Sequence, residues 1–248
     1  MEIRLVRHAT LVVAVGDRTV LVDPMLSPPE AMPPIQNTPN ERRNPLVGLP
    51  ELDLSAVDAV LVTHTHADHF DEAAAAKLRK DLPILCQPED EDKFTSDGFS
   101  DVRPVTDSLS WGNVELSRTG GRHGTGEIGA LMAPVSGFVL RSPGEPALYV
   151  AGDTIWCPEV EEALEAHRPG VVVVNAGAAR FNEGDPITMN AEDVAEVVRH
   201  AGGATVVAVH MEAINHCLLG RGELRSSLNG MGISEGVLVP EDGETVAF

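Results

Sequence analysis

The chain has 248 residues with 38 acidic and 18 basic side chains, which gives a formal charge of −20 at pH 7. This charge repels phosphodiester backbones and anionic membrane surfaces, so we expect neither a nucleic-acid nor a membrane partner. The length suits one domain with a substantial core, and the 43% hydrophobic content is typical of a soluble globular protein.

The cysteines and the N-terminus favour a reducing compartment. Cys86, Cys157 and Cys217 are an odd number without close spacing, which argues against a disulfide framework. The N-terminus carries charges where a signal peptide needs an apolar core, and no uncharged apolar run approaches the roughly 20 residues of a transmembrane helix. We therefore predict a cytoplasmic protein with a small-molecule substrate. A monomer and a homo-oligomer are both compatible with the sequence.

The N-terminal part of the chain is rich in Val, Ile and Leu, with a Gly-Asp hairpin turn at 16–17. Short strands are predicted there at 3–6, 11–15 and 19–23. A Pro-rich segment at about 24–55 follows, with no helical or strand period. A stretch of this length is typically a functional lid or a disordered linker, and a passive surface excursion is the alternative.

From residue 58 onwards strands and helices follow a more regular order. Residues 71–80 favour a helix because acidic side chains come first and basic ones last. Further helices are predicted at 159–167 and 191–200. Strands are predicted at 59–63, 84–87, 114–118, 135–141, 147–151, 171–174 and 206–209. Two stacked sheets with helices outside, an α/β architecture, fit this order.

The strongest motif is Thr63-His64-Thr65-His66-Ala67-Asp68-His69, between a predicted strand and a predicted helix. His64 and His66 point to the same side of an extended chain and can bind one ion together, while Asp68 and His69 turn toward a second position. Imidazole and carboxylate suit Zn²⁺, Mn²⁺ or Fe. A polar turn that ends the strand is the alternative. The metal site is favoured because four potential ligands follow the carboxyl end of a buried strand.

Three further segments offer ligands near the ends of predicted strands. His123 lies in a Gly-rich segment, Asp153 follows Gly152, and His210 follows an apolar strand. A lone histidine after a strand is more often structural, but with the first motif these residues supply enough ligands for two ions. Zinc is the first candidate, and because no cysteine has ligand spacing, manganese and iron stay open as alternatives.

These motifs resemble the metallo-β-lactamase superfamily over almost the whole chain. The signature His-x-His-x-Asp-His matches residues 64–69, and the later His, Asp and His of the superfamily match the three further ligands in order. The segments at 7–10 (Arg-His-Ala-Thr), 22–24 (Val-Asp-Pro) and 210–217 resemble the branch that includes L-ascorbate-6-phosphate lactonase-like proteins. Arg7 departs from this pattern, because related sequences often have Gly there.

The resemblance implies one domain, residues 1–248, with the αββα fold: two mixed β-sheets flanked by helices, and a site along one edge of both sheets. It also implies a two-ion centre. One ion would be held by His64, His66 and His123, and the other by Asp68, His69 and His210, with Asp153 bridging.

Two close divalent ions lower the pKa of a shared water, which yields hydroxide at neutral pH, and they stabilise a developing oxyanion. We expect Asp68 to orient this hydroxide as well as bind metal. His216 is a candidate general acid or substrate contact, and packing at the start of a following helix is its alternative. His8 is a candidate to lie beneath the metals.

Arg122, Arg180 and Arg221 lie beside the ligand segments and are candidates to bind an anionic substrate, although an exposed or acid-paired arginine is the alternative for each. We therefore predict a dinuclear hydrolase of a small ester or lactone, with an anionic substrate as one option. A phosphodiesterase acting on a small phosphodiester is the first alternative. A non-catalytic, metal-containing ligand-binding protein is the second.

Overall fold

Two seven-stranded sheets face each other across a shared apolar layer in the computed structural model, which describes residues 1–233 and 235–248. The first sheet contains β1 (Glu2–Arg7), β2 (Thr10–Val15), β3 (Arg18–Val22), β4 (Ala59–Val62), β5 (Ile84–Cys86), β6 (Val102–Pro104) and β14 (Thr245–Ala247). Its strand order is β14-β1-β2-β3-β4-β5-β6. Pairing is antiparallel from β14 to β3 and parallel from β3 to β6.

The second sheet repeats this mixed arrangement. It contains β7 (Ser108–Trp111), β8 (Val114–Thr119), β9 (Gly137–Arg141), β10 (Leu148–Val150), β11 (Val171–Asn175), β12 (Thr205–Val209) and β13 (Val237–Leu238). Its strand order is β13-β12-β11-β10-β9-β8-β7. Pairing is antiparallel from β7 to β10 and parallel from β10 to β13.

Helices cover the outer face of each sheet. They are α1 (Glu72–Lys77), α2 (Glu91–Ser96), α3 (Gly126–Met132), α4 (Pro158–His167), α5 (Ala191–His200) and α6 (Arg221–Gly230), with 3-10 turns at Leu54–Ala56 and Pro88–Asp90. The four valines of β11 show why both faces are buried: Val171 and Val173 point between the sheets, and Val172 and Val174 pack toward α4–α6. No helix among the described residues is long and apolar enough to cross a bilayer.

The predicted stacked sheets with outer helices are confirmed, but several elements differ from prediction. The helix predicted at 71–80 is only Glu72–Lys77, because Leu78 already has extended backbone angles. The strand predicted from 135 begins at Gly137. The helix α6 was predicted only as an element that follows His216, without bounds. The strands β6, β7, β13 and β14 and the helices α2 and α3 were not predicted. They are two to seven residues long, too short to show a hydrophobic period.

The Pro-rich segment is held in place by hydrogen bonds, which a disordered linker would lack. Met32 and Asn44 pair through their backbones, at 2.7 and 3.0 Å. The buried guanidinium of Arg7 donates to the carbonyl oxygens of Met25, Ser27 and Val47. The segment is therefore ordered, and its role as a lid stays a prediction.

Candidate metal centre

The seven predicted ligands converge on one edge of the two sheets. They follow the carboxyl ends of β4, β8, β10 and β12, and His8 follows β1. The loops are shaped for this convergence. His8 and His210 have positive φ angles of 61° and 68°, a strained conformation that costs about 1–3 kcal/mol and is concentrated at functional sites. Gly152 has a φ of 71° directly before Asp153.

The first donor set consists of His64, His66 and His123, whose ring nitrogens lie within 4.8 Å of one another. His64 Nε2 is 3.0 Å from His66 Nδ1. His123 Nδ1–H donates to the carbonyl oxygen of Ile187 at 2.8 Å, so its Nε2 is free to face the other two rings. These are the three residues predicted to hold one ion.

The second donor set contains Asp68, His69 and His210, and His8 joins them within the same 4.8 Å limit. Asp68 Oδ2 lies 3.1 Å from His8 Nε2 and 3.5 Å from His210 Nε2. The rings of His8 and His210 are stacked at 3.6 Å between centroids. His8 therefore lies beside this donor set, and its position beneath the metals stays a prediction.

Asp153 contacts both donor sets. Its Oδ2 lies 3.3 Å from His69 Nε2 and 3.4 Å from His123 Nε2, and its Oδ1 lies 3.3 Å from His210 Nε2. The Asn175 amide donates to Oδ1 at 2.6 Å. These contacts are compatible with the bridging role predicted for Asp153, which stays a prediction.

Asp23 contacts a donor histidine, and the sequence did not single it out as a site candidate. Its Oδ2 accepts hydrogen bonds from His69 Nδ1–H and from the Thr63 hydroxyl, and its Oδ1 accepts one from the Thr63 backbone N–H, each at 2.8 Å. The Thr63 hydroxyl lies 3.1 Å from His64 Nδ1. Such partners orient the ligand rings and fix which nitrogen faces the metal. The available signal was an acidic residue directly after the apolar strand β3.

Burial and neighbouring charges set the protonation of the donors. Burial holds the pKa of His64 well below its usual value, and burial with the adjacent His210 lowers the pKa of His8 to about 3. Burial alone would raise the pKa of Asp68 and Asp153, but the surrounding imidazoles hold both well below the ordinary range. These shifts favour neutral His8 and His64 and ionised Asp68 and Asp153, which are the forms that bind metal. His69 differs: burial lowers its pKa, but the carboxylates of Asp153 and Asp23 outweigh burial and raise it well above the usual value.

The donor set fits divalent cations. His69 Nε2 and His210 Nε2 face each other at 3.3 Å, and His64 Nε2 faces His66 Nδ1 at 3.0 Å, in buried surroundings. Opposed imidazole lone pairs repel unless a proton or a cation lies between them. Imidazole and carboxylate are the ligand types preferred by zinc, manganese and iron, so cations satisfy these atoms best.

His216 is buried beside the centre and lies outside both donor sets. Its Nδ1 has no hydrogen-bond partner among the described residues. Burial lowers the pKa of His216 to about 4, and Asp68 and His210 also influence it.

Two of the three arginine candidates are paired with acids away from the centre. Arg122 binds Glu159, and the buried Arg221 binds Glu212 and Asp242. Arg180 contributes its backbone N–H to the carbonyl oxygen of His216. Arg122 and Arg221 are therefore acid-paired, which was the alternative given for each. Neither of them now supports an anionic substrate.

Comparison with known proteins identifies the family. A family model described as the beta-lactamase superfamily domain matches residues 18–211. The chain belongs to the metallo-β-lactamase superfamily. The UPF0173 protein YddR of Bacillus subtilis, another member, is 39% identical over 100% of both chains.

Two solved structures of the superfamily are similar over the whole chain. A possible metal-dependent hydrolase from Veillonella parvula has a TM-score of 0.96 and 36% identity, covering 100% of this chain and 99% of that one. The isothiocyanate hydrolase from Delia radicum gut bacteria has a TM-score of 0.94 and 38% identity, with the same coverage. The protein is therefore a metal-dependent hydrolase with the metallo-β-lactamase fold. The lactonase-like branch stays a prediction.

Proposed function

We propose that the protein is a dinuclear hydrolase that cleaves a small electrophile with an unsaturated carbon centre. The observation that carries this proposal is the position of Asp153, within 3.4 Å of histidines from both donor sets. One ion would be held by His64, His66 and His123. The other would be held by His8, Asp68, His69 and His210. Zinc is the first candidate, and manganese and iron are the alternatives.

When bound, two divalent cations lower the pKa of a water molecule and polarise the electrophile. The protein positions the reactants around them. Asp68 is ionised and lies at the edge of the centre, so its carboxylate can accept a hydrogen bond from the attacking water and orient it.

We assign to His216 the hydrogen bond to the leaving group. The ring is neutral at pH 7 because burial lowers its pKa to about 4. It therefore acts as a hydrogen-bond donor to the leaving nitrogen or oxygen rather than as a strong acid. This refines the general-acid role predicted from the sequence.

An isothiocyanate is the first substrate class, supported by the whole-chain similarity to an isothiocyanate hydrolase at 38% identity. In that reaction the water oxygen bonds to the central carbon and the carbon–nitrogen bond breaks. The water protons end on nitrogen, so R–N=C=S and H₂O give R–NH₂ and O=C=S. An ester or lactone is the second class, supported by the segments at 7–10 and 210–217 that resemble lactonase-like proteins.

The experiment uses protein loaded with Zn²⁺ or with Mn²⁺ and a panel of benzyl isothiocyanate, γ-butyrolactone, phenyl acetate and bis(4-nitrophenyl) phosphate. We expect turnover of at least one of the first three, its loss with chelator, and its return with added metal. Asp153→Asn should abolish it, while Asp17→Asn, at an exposed hairpin, should not. Turnover that survives in Asp153→Asn would contradict the bridging role. Exclusive turnover of the phosphodiester would favour the phosphodiesterase alternative.

A further inference from the structure

A cleft of about 960 Å³ lies between the Pro-rich segment and α1, and it reaches the metal centre at Asp68. One wall is formed by Met32, Pro33, Pro34 and Ile35 of the Pro-rich segment. Ile214 packs with that segment, and the other wall is formed by Phe70, Ala73 and Ala76. Because Asp68 belongs to both the cleft and the second donor set, a molecule attacked at the centre can extend a substituent into this space.

Apart from Ser27, Asn44 and Thr65, the uncharged residues that line the cleft are apolar. Its described charged residues are four carboxylates, from Asp68, Asp71, Glu72 and Asp97, and one amine, from Lys93. The amine is paired with Asp97 at 2.9 Å. An anionic substituent would therefore meet negative charge without a free cation among the described lining residues. An uncharged apolar group gains from contact with the methionine, proline and phenylalanine side chains.

The wall contributed by the Pro-rich segment is fixed before any ligand arrives. The Asn215 amide oxygen accepts from the Ile35 backbone at 2.9 Å and from the Asn44 amide at 2.8 Å. The Asn215 backbone in turn donates to Asn44 Oδ1 at 2.9 Å. A cleft with fixed walls binds without the entropic cost of ordering a loop.

We infer that this cleft binds the uncharged, apolar substituent of the substrate, so that the enzyme selects bulky alkyl or aryl electrophiles over small or anionic ones. The inference rests on the proposed hydrolytic function for its kinetic part. Its binding part stands on the cleft alone.

The binding test uses ¹⁹F NMR of 4-fluorobenzyl alcohol with the metal-loaded protein. Ala76 is an exposed helical alanine that lines the cleft, and Ala166 is an exposed alanine on α4 outside it. Phenylalanine at either position adds the same ring without leaving a cavity in the core. We expect binding to weaken at least about tenfold in Ala76→Phe and to stay unchanged in Ala166→Phe. Equal binding to both variants, or no binding to the unsubstituted protein, would overturn the inference.

The kinetic test compares kcat/KM for benzyl and methyl isothiocyanate in the same proteins. The unsubstituted enzyme should prefer the benzyl compound by at least about tenfold, and Ala76→Phe should lose that preference while retaining turnover of the methyl compound. Turnover without any size preference contradicts the role of the cleft in substrate selection but not the proposed hydrolytic function. If Ala76→Phe weakens binding of the fluorinated alcohol but neither isothiocyanate is turned over, the result supports the cleft as a binding site and contradicts an isothiocyanate as substrate.

Discussion

The side-chain amide of Asn175 donates a 2.6 Å hydrogen bond to Oδ1 of Asp153. Asn175 ends β11, and β11 pairs in parallel with β10, whose end leads to Asp153. The sheet therefore fixes the orientation of the carboxylate that touches both donor sets. A ligand held in this way loses less freedom when it binds metal.

Asn175→Ala should weaken metal binding about 10- to 100-fold, because the Asp153 carboxylate is no longer oriented. The affinity is measured by competition with a chromogenic zinc chelator. Asn113→Ala, an exposed asparagine in the hairpin between β7 and β8, is the matched control and should bind like the unsubstituted protein. Equal affinities for the two variants would contradict a role for this hydrogen bond.

His8→Ala should lower the metal content from about two ions per chain toward about one, because the second donor set loses an imidazole 3.1 Å from Asp68. Elemental analysis of protein dialysed against limiting chelator checks this. His167→Ala, at the end of α4 away from the centre, should keep the full metal content. Two tightly held ions in His8→Ala would mean that His8 only packs against His210.

Arg7→Met should destabilise the protein by about 3 kcal/mol, because three carbonyl oxygens, two of them in buried hydrogen bonds, lose a charged donor. Urea unfolding gives the free energy, and limited proteolysis should show new cleavage within the Pro-rich segment. Arg42→Met, an exposed position of the same segment, is the control. A loss of stability without new cleavage would show that Arg7 stabilises the protein but does not order this segment.

Removal of metal should lower the melting temperature, since cations that bind only the folded state stabilise it. Each site contributes about 2.7 kcal/mol when free metal is a hundred times the dissociation constant. Calorimetry with chelator, and with the same chelator saturated with zinc, isolates the effect of metal. An unchanged melting temperature after verified metal loss would show that the buried histidines do not need a cation to stabilise their close contacts.

The sequence predicted the ligand positions because the ligands follow strands, and strand ends carry local signals of composition and turn chemistry. Asp23 was not predicted as a site residue because its role depends on pairing. It reaches His69 since β3 lies beside β4, with Val22 opposite Leu61. His8 joins the second donor set through contacts with Asp68 and His210, which lie 60 and 202 positions further along the chain.

The Pro-rich segment could not be placed from the sequence because its contacts are long-range. Asn44 and Asn215 are separated by 171 positions, and neither belongs to a motif that indicates their hydrogen bonds. The pairing of Arg221 with Glu212 and Asp242 is likewise a product of the folded chain. Local patterns thus predicted the side chains that converge in the two donor sets, whereas the residues that orient them and shape the cleft required the tertiary structure.

Anomalous X-ray diffraction from crystals of the zinc-loaded protein tests the two-ion centre most directly. The account predicts two anomalous peaks, one beside His64, His66 and His123 and the other beside the set that includes Asp68 and His210. Asp153 should lie between them. A single peak, or two peaks without Asp153 between them, would contradict it.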